Sequence, residues 1–582
     1  MSTPFTRRDG TRGVSESVLL RQSWKEAGKV HTNTVASLSK LPPAQIDVLE
    51  AVINHGATLT GGATLPAPVL GAGRTHGGVA AVAALIDQLG LPGMIGPACR
   101  QRDLILGLVA ARVCHPASKA SQVTWWADTT LGADWGLDGA TTDEVYEAMD
   151  WLLARRDALE DHLVGRWLKD ETSNPHGLVL CDLTSTWLEG AHCPLAEYGY
   201  SRDGKKGLPQ IEFVLVCDPR GLPVGVRVFK GDTADPGAFP DIVAGIRDRY
   251  RMSQAVVVGD RGMVTSKGVE ALTAAGIGWV GALRRSQITA LAAQKGPFQP
   301  SLFDERGILT CTSDEFPQER LIVCYNPARA EAARTLRQVL VEKTLTLIAP
   351  IGARVDAGRL VDPARIGQAV GRVIDRYHVA SLIQTDIREH HLGYGPDTPT
   401  IRQAEALDGL YVIRTSLEAT DIDDAGVIAT YHNLNNVERD FSWLKSIDLQ
   451  VRPVRHWLAG RVEAHLLICL LGLIITWHLR AAWKPLTFTD EQNPTPSIPA
   501  RPARRSHAAH HKTATRTSPD GQPLHDFHGL LTHIAGLDRH PITYHTPTGP
   551  LTIQIVAQPT PIQAEAFRLI GAPIPQTIKP AR

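Results

Sequence analysis

Cysteine is scarce. The 582 residues hold eight, and no two form a Cys-x-x-Cys pair. A disulfide-knit fold is excluded, and no zinc or redox motif is signalled. The thiols are expected to be reduced, as in the cytoplasm. Net charge is also absent, because Lys+Arg and Asp+Glu both number 60. The whole-chain surplus of positive charge that marks many nucleic-acid binders is missing, so any basic groove has to be local. The longest apolar run, Leu466–Trp477, falls short of the ~20 residues that span a membrane, and Met1–Gly10 has no apolar signal-peptide core. The expectation is a cytoplasmic protein with no membrane partner. What is present is ordinary globular composition, 43% hydrophobic and 21% charged. Wholly disordered and collagen-like chains are thereby excluded. The length allows three or four domains at ~150 residues each.

The texture of the chain divides it. Residues 1–75 form a basic arm or small region, rich in Arg7, Arg8, Arg12, Arg21, Lys25 and Lys29. Across 76–172, Val79, Val82, Leu85 and Leu89 recur at helix spacing, as do Leu104, Val109 and Val113. This is expected to be an all-helical domain. From 173 to 284 strands appear: Leu178–Cys181, Gln210–Cys217 and Leu222–Lys230, the last two joined by Asp218-Pro219-Arg220-Gly221. A helix at Phe239–Arg249, a strand at Ala255–Val258, a helix at Lys267–Ala275 and a strand at Ile277–Leu283 follow. Three consecutive strands and then alternating helix and strand is the order of an RNase H-like fold, so the fold class is α/β.

Residues 285–408 interrupt that order and read as an inserted domain. Strands are expected at Leu321–Cys324 and Leu345–Ile348, and helices at Ala328–Leu340 and Pro363–Tyr377. Residues 409–484 return to the core with a strand at Tyr411–Arg414 and helices at Ile428–Lys445 and Val462–His478. Proline becomes dense beyond Pro485. Residues 485–524 read as a basic, Pro-rich linker, and 525–582 as a small C-terminal module.

Three acidic residues stand out. Asp182 follows the apolar run Val179-Leu180-Cys181, and Asp260 follows Val257-Val258-Gly259. A carboxylate where a hydrophobic strand emerges is costly unless it binds something, and open α/β sheets take their ligands at strand ends. If the two strands are neighbours, the carboxylates face each other, and divalent cations relieve their repulsion. Glu438 lies in Tyr431-His432-Asn433-Leu434-Asn435-Asn436-Val437-Glu438, where Leu434, Val437, Phe441 and Leu444 form one apolar helix face. Glu438 sits at the rim of that face. Tyr431, Glu438 and Lys445 are seven apart and line one stripe, since seven residues return to within about 20°. Each acid alone also suits a turn, a cap or a rim. Glu189 and Asp232 compete for a place in the set, although a loop and a strand end suit them less well. Lys205 and Lys206 fit either a solvated turn or a phosphate contact. His432, His456 and His465 read as surface or capping residues.

Together these stretches resemble the DDE transposases of bacterial insertion sequences. The branch it is similar to has a Tyr…Glu-x6-Lys helix and a large insertion before the catalytic Glu. The residues that carry the likeness are Asp182-Leu183-Thr184-Ser185-Thr186, Tyr198-Gly199-Tyr200-Ser201-Arg202-Asp203, Val258-Gly259-Asp260-Arg261-Gly262-Met263, Asp408-Gly409-Leu410-Tyr411-Val412, Tyr431 to Lys445, and Arg452-Pro453-Val454-Arg455-His456. The resemblance implies Asp182, Asp260 and Glu438 as catalytic and metal-binding residues, holding two Mg²⁺ or Mn²⁺ ions. It implies double-stranded DNA as partner, contacted by Tyr431 and Lys445, and a homodimer on that DNA. Leu434 stands where the family often has Arg, and Arg439 or Arg455 is expected to take over its DNA contact. The implied activity is binding of terminal inverted repeats, cleavage and strand transfer. The rival expectations are an RNase H-fold nuclease without joining activity and a non-catalytic DNA-binding derivative.

Overall fold

The computed structural model describes residues 2–6, 12–16, 18–26, 29–38, 46, 68–169, 174, 176–190, 192–199, 207–232, 245, 248–250, 256–259, 266–293, 307–445, 449–488, 511–512, 514–517, 521–546 and 549–579. Asp260, Lys205, Lys206, most of the helix expected at Phe239–Arg249 and the middle of the Pro-rich linker lie outside these residues.

The N-terminal residues expected to form a basic arm are strand-forming. Two hairpins pair β1 (Ser2–Thr6) with β2 (Arg12–Glu16) and β3 (Leu19–Glu26) with β4 (Lys29–Ser37). Short strands β5 (Val69–Leu70) and β6 (Arg74–Thr75) lead into the helices α1 (Gly77–Gln88), α2 (Leu91–Ile95), α3 (Arg100–Cys114), α4 (Lys119–Trp126), α5 (Thr130–Asp134), α6 (Thr142–Leu153) and α7 (Arg156–Leu163). Helix α6 starts with a capping box. The Thr141 side chain accepts from the Glu144 N–H, and the Glu144 carboxylate accepts from the Thr141 N–H.

The sheet begins with β7 (Leu178–Trp187), β8 (Gln210–Cys217), β9 (Pro223–Lys230) and β10 (Val256–Val258). Helix α8 (Ser266–Ala274), strand β11 (Gly278–Ala282) and helix α9 (Arg285–Ala293) follow. Every residue of β8 is buried, as expected for a strand covered on both faces. The strands run β9-β8-β7-β10-β11, with β7, β10 and β11 parallel and β8 antiparallel to both of its neighbours, β7 and β9. That order and those directions are the ones expected of an RNase H-like core.

The inserted region starts by widening this sheet. Strands β12 (Ile308–Ser313) and β13 (Phe316–Tyr325) pair with each other, and β13 pairs with the later β16. The chain then leaves the sheet in α10 (Pro327–Asp356), α11 (Pro363–Arg376), the hairpin of β14 (Ile383–Arg388) and β15 (His391–Pro396), and α12 (Thr398–Glu405). A separate small core of Ile348, Ile351, Val355, Ile366 and Val370 holds this excursion together. Leu345–Ile348, expected as a strand, is helical inside α10. Four residues, Leu345-Thr346-Leu347-Ile348, are too few to carry a period of their own, and the Ala-, Arg- and Glu-rich flanks impose the helix. Strand β16 (Leu410–Thr415) returns between β13 and β11.

Helices α13 (Asp424–His432), α14 (Leu434–Lys445) and α15 (Ala459–Ala482) complete the core. The run expected as one helix over Ile428–Lys445 is divided at Asn433. Asn433, Asn435 and Asn436 supply the reason, since Asn competes with the helix through its own side chain. Helix α15 contains the long apolar run, and its residues 466–475 are all buried. It packs between the sheet and the N-terminal helices, so that α1, α3, α6, the central strands and α15 share one hydrophobic core. Beyond it, α16 (Phe527–Ala535), β17 (Asp538–Thr546), β18 (Gly549–Val556) and α17 (Pro561–Leu569) fold back onto the N-terminal helices. Strand β17 pairs with β5 and β6, and Arg539 grips Asp134 with bonds of 2.7 and 2.8 Å.

Candidate active site

Strand β7 is longer than its parallel neighbour. Within β7, residues Val256–Val258 of β10 pair with Leu178–Leu180. From Cys181 onward β7 continues as a hairpin with β8, and at its far end the Trp187 carbonyl accepts from the Val454 N–H at 3.2 Å. Asp182 is therefore not at the end of its strand, as the sequence suggests, but near its middle. It lies where the parallel part of the sheet stops, which is the crevice where such sheets take ligands. Asp182 is half-buried, and one carboxylate oxygen accepts from the Leu183 N–H at 2.8 Å. Asp260 follows Val258 by two residues, just as Asp182 follows Leu180, the register partner of Val258.

Side chains alternate along a strand, so Asp182, Thr184 and Thr186 share one face of β7. Phe213 of β8 pairs with Thr184 and lies on that same face. Helix α14 packs there. The ring of its Phe441 meets Phe213 edge-on at 5.8 Å. At its C-terminus, Lys445 Nζ donates to Thr184 Oγ1. Leu434, Val437, Phe441 and Leu444 are buried as their spacing requires. Glu438 and Arg439 are exposed. Glu438 thus lies on the same helix as Lys445, two turns away, on a helix fixed to the face of β7 that carries Asp182. Tyr431 belongs to the preceding helix α13, on the other side of the break at Asn433, and is half-buried.

The N-terminal half of α14 is held by the β8–β9 turn. Asn436 Nδ2 donates to the Arg220 carbonyl at 2.9 Å. Gly221 has φ +90°, and a Cβ there would lie 2.4 Å from Asn436 Cβ. Its C-terminus is capped by Arg452, whose Nε donates to the Lys445 carbonyl at 3.1 Å while its guanidinium lies 4.8 Å over the Trp187 ring. Arg439 stacks on Trp443 at 5.1 Å and donates to Asn436 Oδ1 at 2.8 Å. Arg455 is exposed and paired with Glu189 at 3.0 Å.

Two groups depart from their sequence reading. His465, expected at the surface or in a cap, is buried. Its Nε2 lies 3.1 Å from the Val451 carbonyl and its Nδ1 3.3 Å from Lys119 Nζ. Burial, with Lys119 and Arg112 nearby, holds it neutral. Asp440, passed over in the sequence, is fully buried, and among the described residues neither carboxylate oxygen has a hydrogen-bond partner. Burial pushes its carboxyl up to about 8, with Asp218 adding to the rise and Arg439 and Arg480 opposing it. The spacing that turns Val437, Phe441 and Leu444 inward also carries position 440 to their side, and that was the available signal. Thr184 and Arg452 lay inside motifs already noted, but only the folded packing reveals what they hold.

Among the described residues no three His, Cys, Asp or Glu side chains gather into a metal-binding group. The acids that the sequence singled out are two described carboxylates, on β7 and α14, and one that lies outside the described residues.

The core and this helix define an RNase H-like nucleic-acid-processing class. Residues 186–475 match the family model for the transposase DDE domain, a range that begins just after Asp182 and includes Asp260 and Glu438. The chain belongs to that family and is a DDE transposase. A search of curated proteins returned no match. One solved structure to which the chain is similar is a piggyBac transposase synaptic complex with hairpin DNA. The two share 10% sequence identity at a TM-score of 0.32, over 68% of this chain and 70% of that one.

Proposed function

We propose that the protein binds the terminal inverted repeats of an insertion sequence, cuts the DNA there and joins the freed 3′ ends to a target. The observation that carries this reading is the seating of α14 on the Asp182 face of β7, through Lys445 to Thr184 and Phe441 to Phe213. Asp182, Asp260 and Glu438 are the residues that would hold two Mg²⁺ or Mn²⁺ ions. The donor set suits such ions, being hard carboxylate oxygen throughout. Glu438 is exposed, and among the described residues it has no ion-pair partner. When bound, the ions activate the attacking water or 3′-hydroxyl and stabilise the leaving oxygen.

The chain's own residues do the positioning. Val437, Phe441 and Leu444 fix the roll of α14, so Glu438 keeps its outward direction before DNA arrives. Thr184 steers the Lys445 ammonium, which then meets a phosphate as a point charge. Tyr431, Arg439 and Arg455 contact the DNA backbone around the cut. Lys205 and Lys206, which precede β8 in the sequence, extend that contact. Two copies on paired ends form the working dimer. The helices of 76–172 grip the repeats, and the excursion between β13 and β16 covers the site or the flanking strand.

An assay with pre-cleaved DNA ends separates joining from hydrolysis. Transposase chemistry yields a joined product with a target duplex. Hydrolysis alone would replace the reading with an RNase H-fold nuclease. Binding without either reaction would leave a non-catalytic DNA-binding derivative.

A further inference from the structure

Helix α11 carries Arg365, Arg372 and Arg376, and all three are exposed. At ~100° per residue they fall within about 40° of one another, on the side of the helix away from Ile366 and Val370. Those two are buried in the small core with Ile348, Ile351 and Val355, which fixes the roll of the helix. Its start is fixed as well, since the Asp362 side chain accepts from the Arg365 N–H at 3.0 Å. Among the described residues none of the three guanidinium groups has a hydrogen-bond or ion-pair partner. Asp375, the one acid within α11, pairs with none of them. Exposed arginines elsewhere do find acids. Arg334, Arg388, Arg455 and Arg568 each have a carboxylate oxygen within 3.0 Å. Arg372 and Arg376 are four apart, and like charges at that spacing destabilise a helix. The stripe therefore carries a cost that an anionic partner removes.

The length and composition of the stripe select that partner. From Arg365 to Arg376 the helix rises about 16 Å at ~1.5 Å per residue. The other exposed positions of α11 are Pro363, Ala364, Gln368, Gly371 and Asp375. None is aromatic or a large aliphatic residue, so the apolar centre of a protein interface is missing. A small anion would engage one guanidinium and leave the rest. A DNA duplex presents about ten phosphate charges over the same length, at one per ~1.7 Å of axis. Each guanidinium fork matches a phosphate. The chain as a whole is neutral, with Lys+Arg and Asp+Glu both numbering 60, so a row of cations without acids is a local departure.

We propose that Arg365, Arg372 and Arg376 form a phosphate-binding stripe with which the inserted region holds duplex DNA without reading its sequence. The identity of the partner rests on the function proposed above, and the stripe rests on the geometry of α11. The test uses the full-length protein without divalent metal. Its affinity is measured over a range of salt for a duplex of the terminal sequence flanking its gene and for an unrelated duplex of equal length. The triple variant Arg365→Gln, Arg372→Gln, Arg376→Gln lowers the slope of log affinity against log salt by about 2.7, at ~0.9 per phosphate contact. It weakens binding to both duplexes about tenfold or more at about 0.1 M salt. The corresponding triple Lys variant keeps the slope, because the charge is kept. Both variants keep the parent's unfolding midpoint, since the positions are exposed. A slope unchanged by the Gln variant overturns the stripe. So does a loss confined to the terminal duplex, which would mean base readout. So does a DNA-free dimer that the Gln variant dissolves, because the stripe would then face a second copy. A parent that cleaves the terminal duplex once Mn²⁺ is added, with a slope equal to the Gln variant's, loses the stripe alone. One that shows the slope difference but neither cleaves nor joins keeps the stripe and loses the proposed function. One that binds neither duplex loses both.

Discussion

Asp440 makes the stability of the site helix depend on pH. Its carboxyl is fully buried, lacks a hydrogen-bond partner among the described residues and is pushed up to about 8, first by burial. In the unfolded chain an Asp titrates near 3.9. Between these values the folded state holds a proton that the unfolded state has released, so stability falls as pH rises through the window. Below pH 4 both states are protonated and the penalty vanishes. At pH 7 the gap of about three pH units, at ~1.36 kcal/mol each, amounts to about 4 kcal/mol. Asn has the shape of the protonated acid and never ionises. Asp440→Asn is therefore expected to stabilise the protein by about 4 kcal/mol at pH 7, slightly more at pH 8.5, and by less than about 1 kcal/mol at pH 4. Denaturant unfolding at the three pH values reads the difference directly. An increment that does not grow with pH, or a variant less stable than the parent at pH 8.5, would refute the reasoning.

Two further changes probe how α14 is held. Phe441→Ala removes a buried ring and its contact with Phe213, and is expected to cost about 3–5 kcal/mol in denaturant unfolding. Gly221→Ala puts a Cβ 2.4 Å from Asn436 at a φ of +90°. It is expected to destabilise by more than about 1 kcal/mol and to slow DNA cleavage by shifting the helix that bears Glu438. Unchanged stability in either variant would contradict the packing described.

Much of the sheet was legible because its strands are short and apolar. Gln210–Cys217 emerges with the bounds its sequence suggests, since a run apolar on both faces has few other places to go. The order of strands and helices sufficed for the RNase H-like topology. Leu345–Ile348 misled because so short a stretch, three apolar residues and Thr346, fits a strand or a helix equally, and the 30-residue α10 decided between them. The break at Asn433 was written in three asparagines, but the heptad spacing across it was the stronger pattern. At the site, the apolar face of α14 followed from spacing alone. The mid-strand place of Asp182 did not, because it depends on where the neighbouring β10 stops. Likewise Thr184 as the partner of Lys445 arises only when residues 261 positions apart are packed together.

The central claim is that Asp182, Asp260 and Glu438 form one metal site. Manganese binding followed by electron paramagnetic resonance tests it without DNA or turnover. The native protein should remove free Mn²⁺ from solution, and Asp182→Asn, Asp260→Asn and Glu438→Gln should each lose that binding while keeping the native unfolding midpoint. Mn²⁺ uptake equal to the native protein's in any one of the three would contradict the assignment.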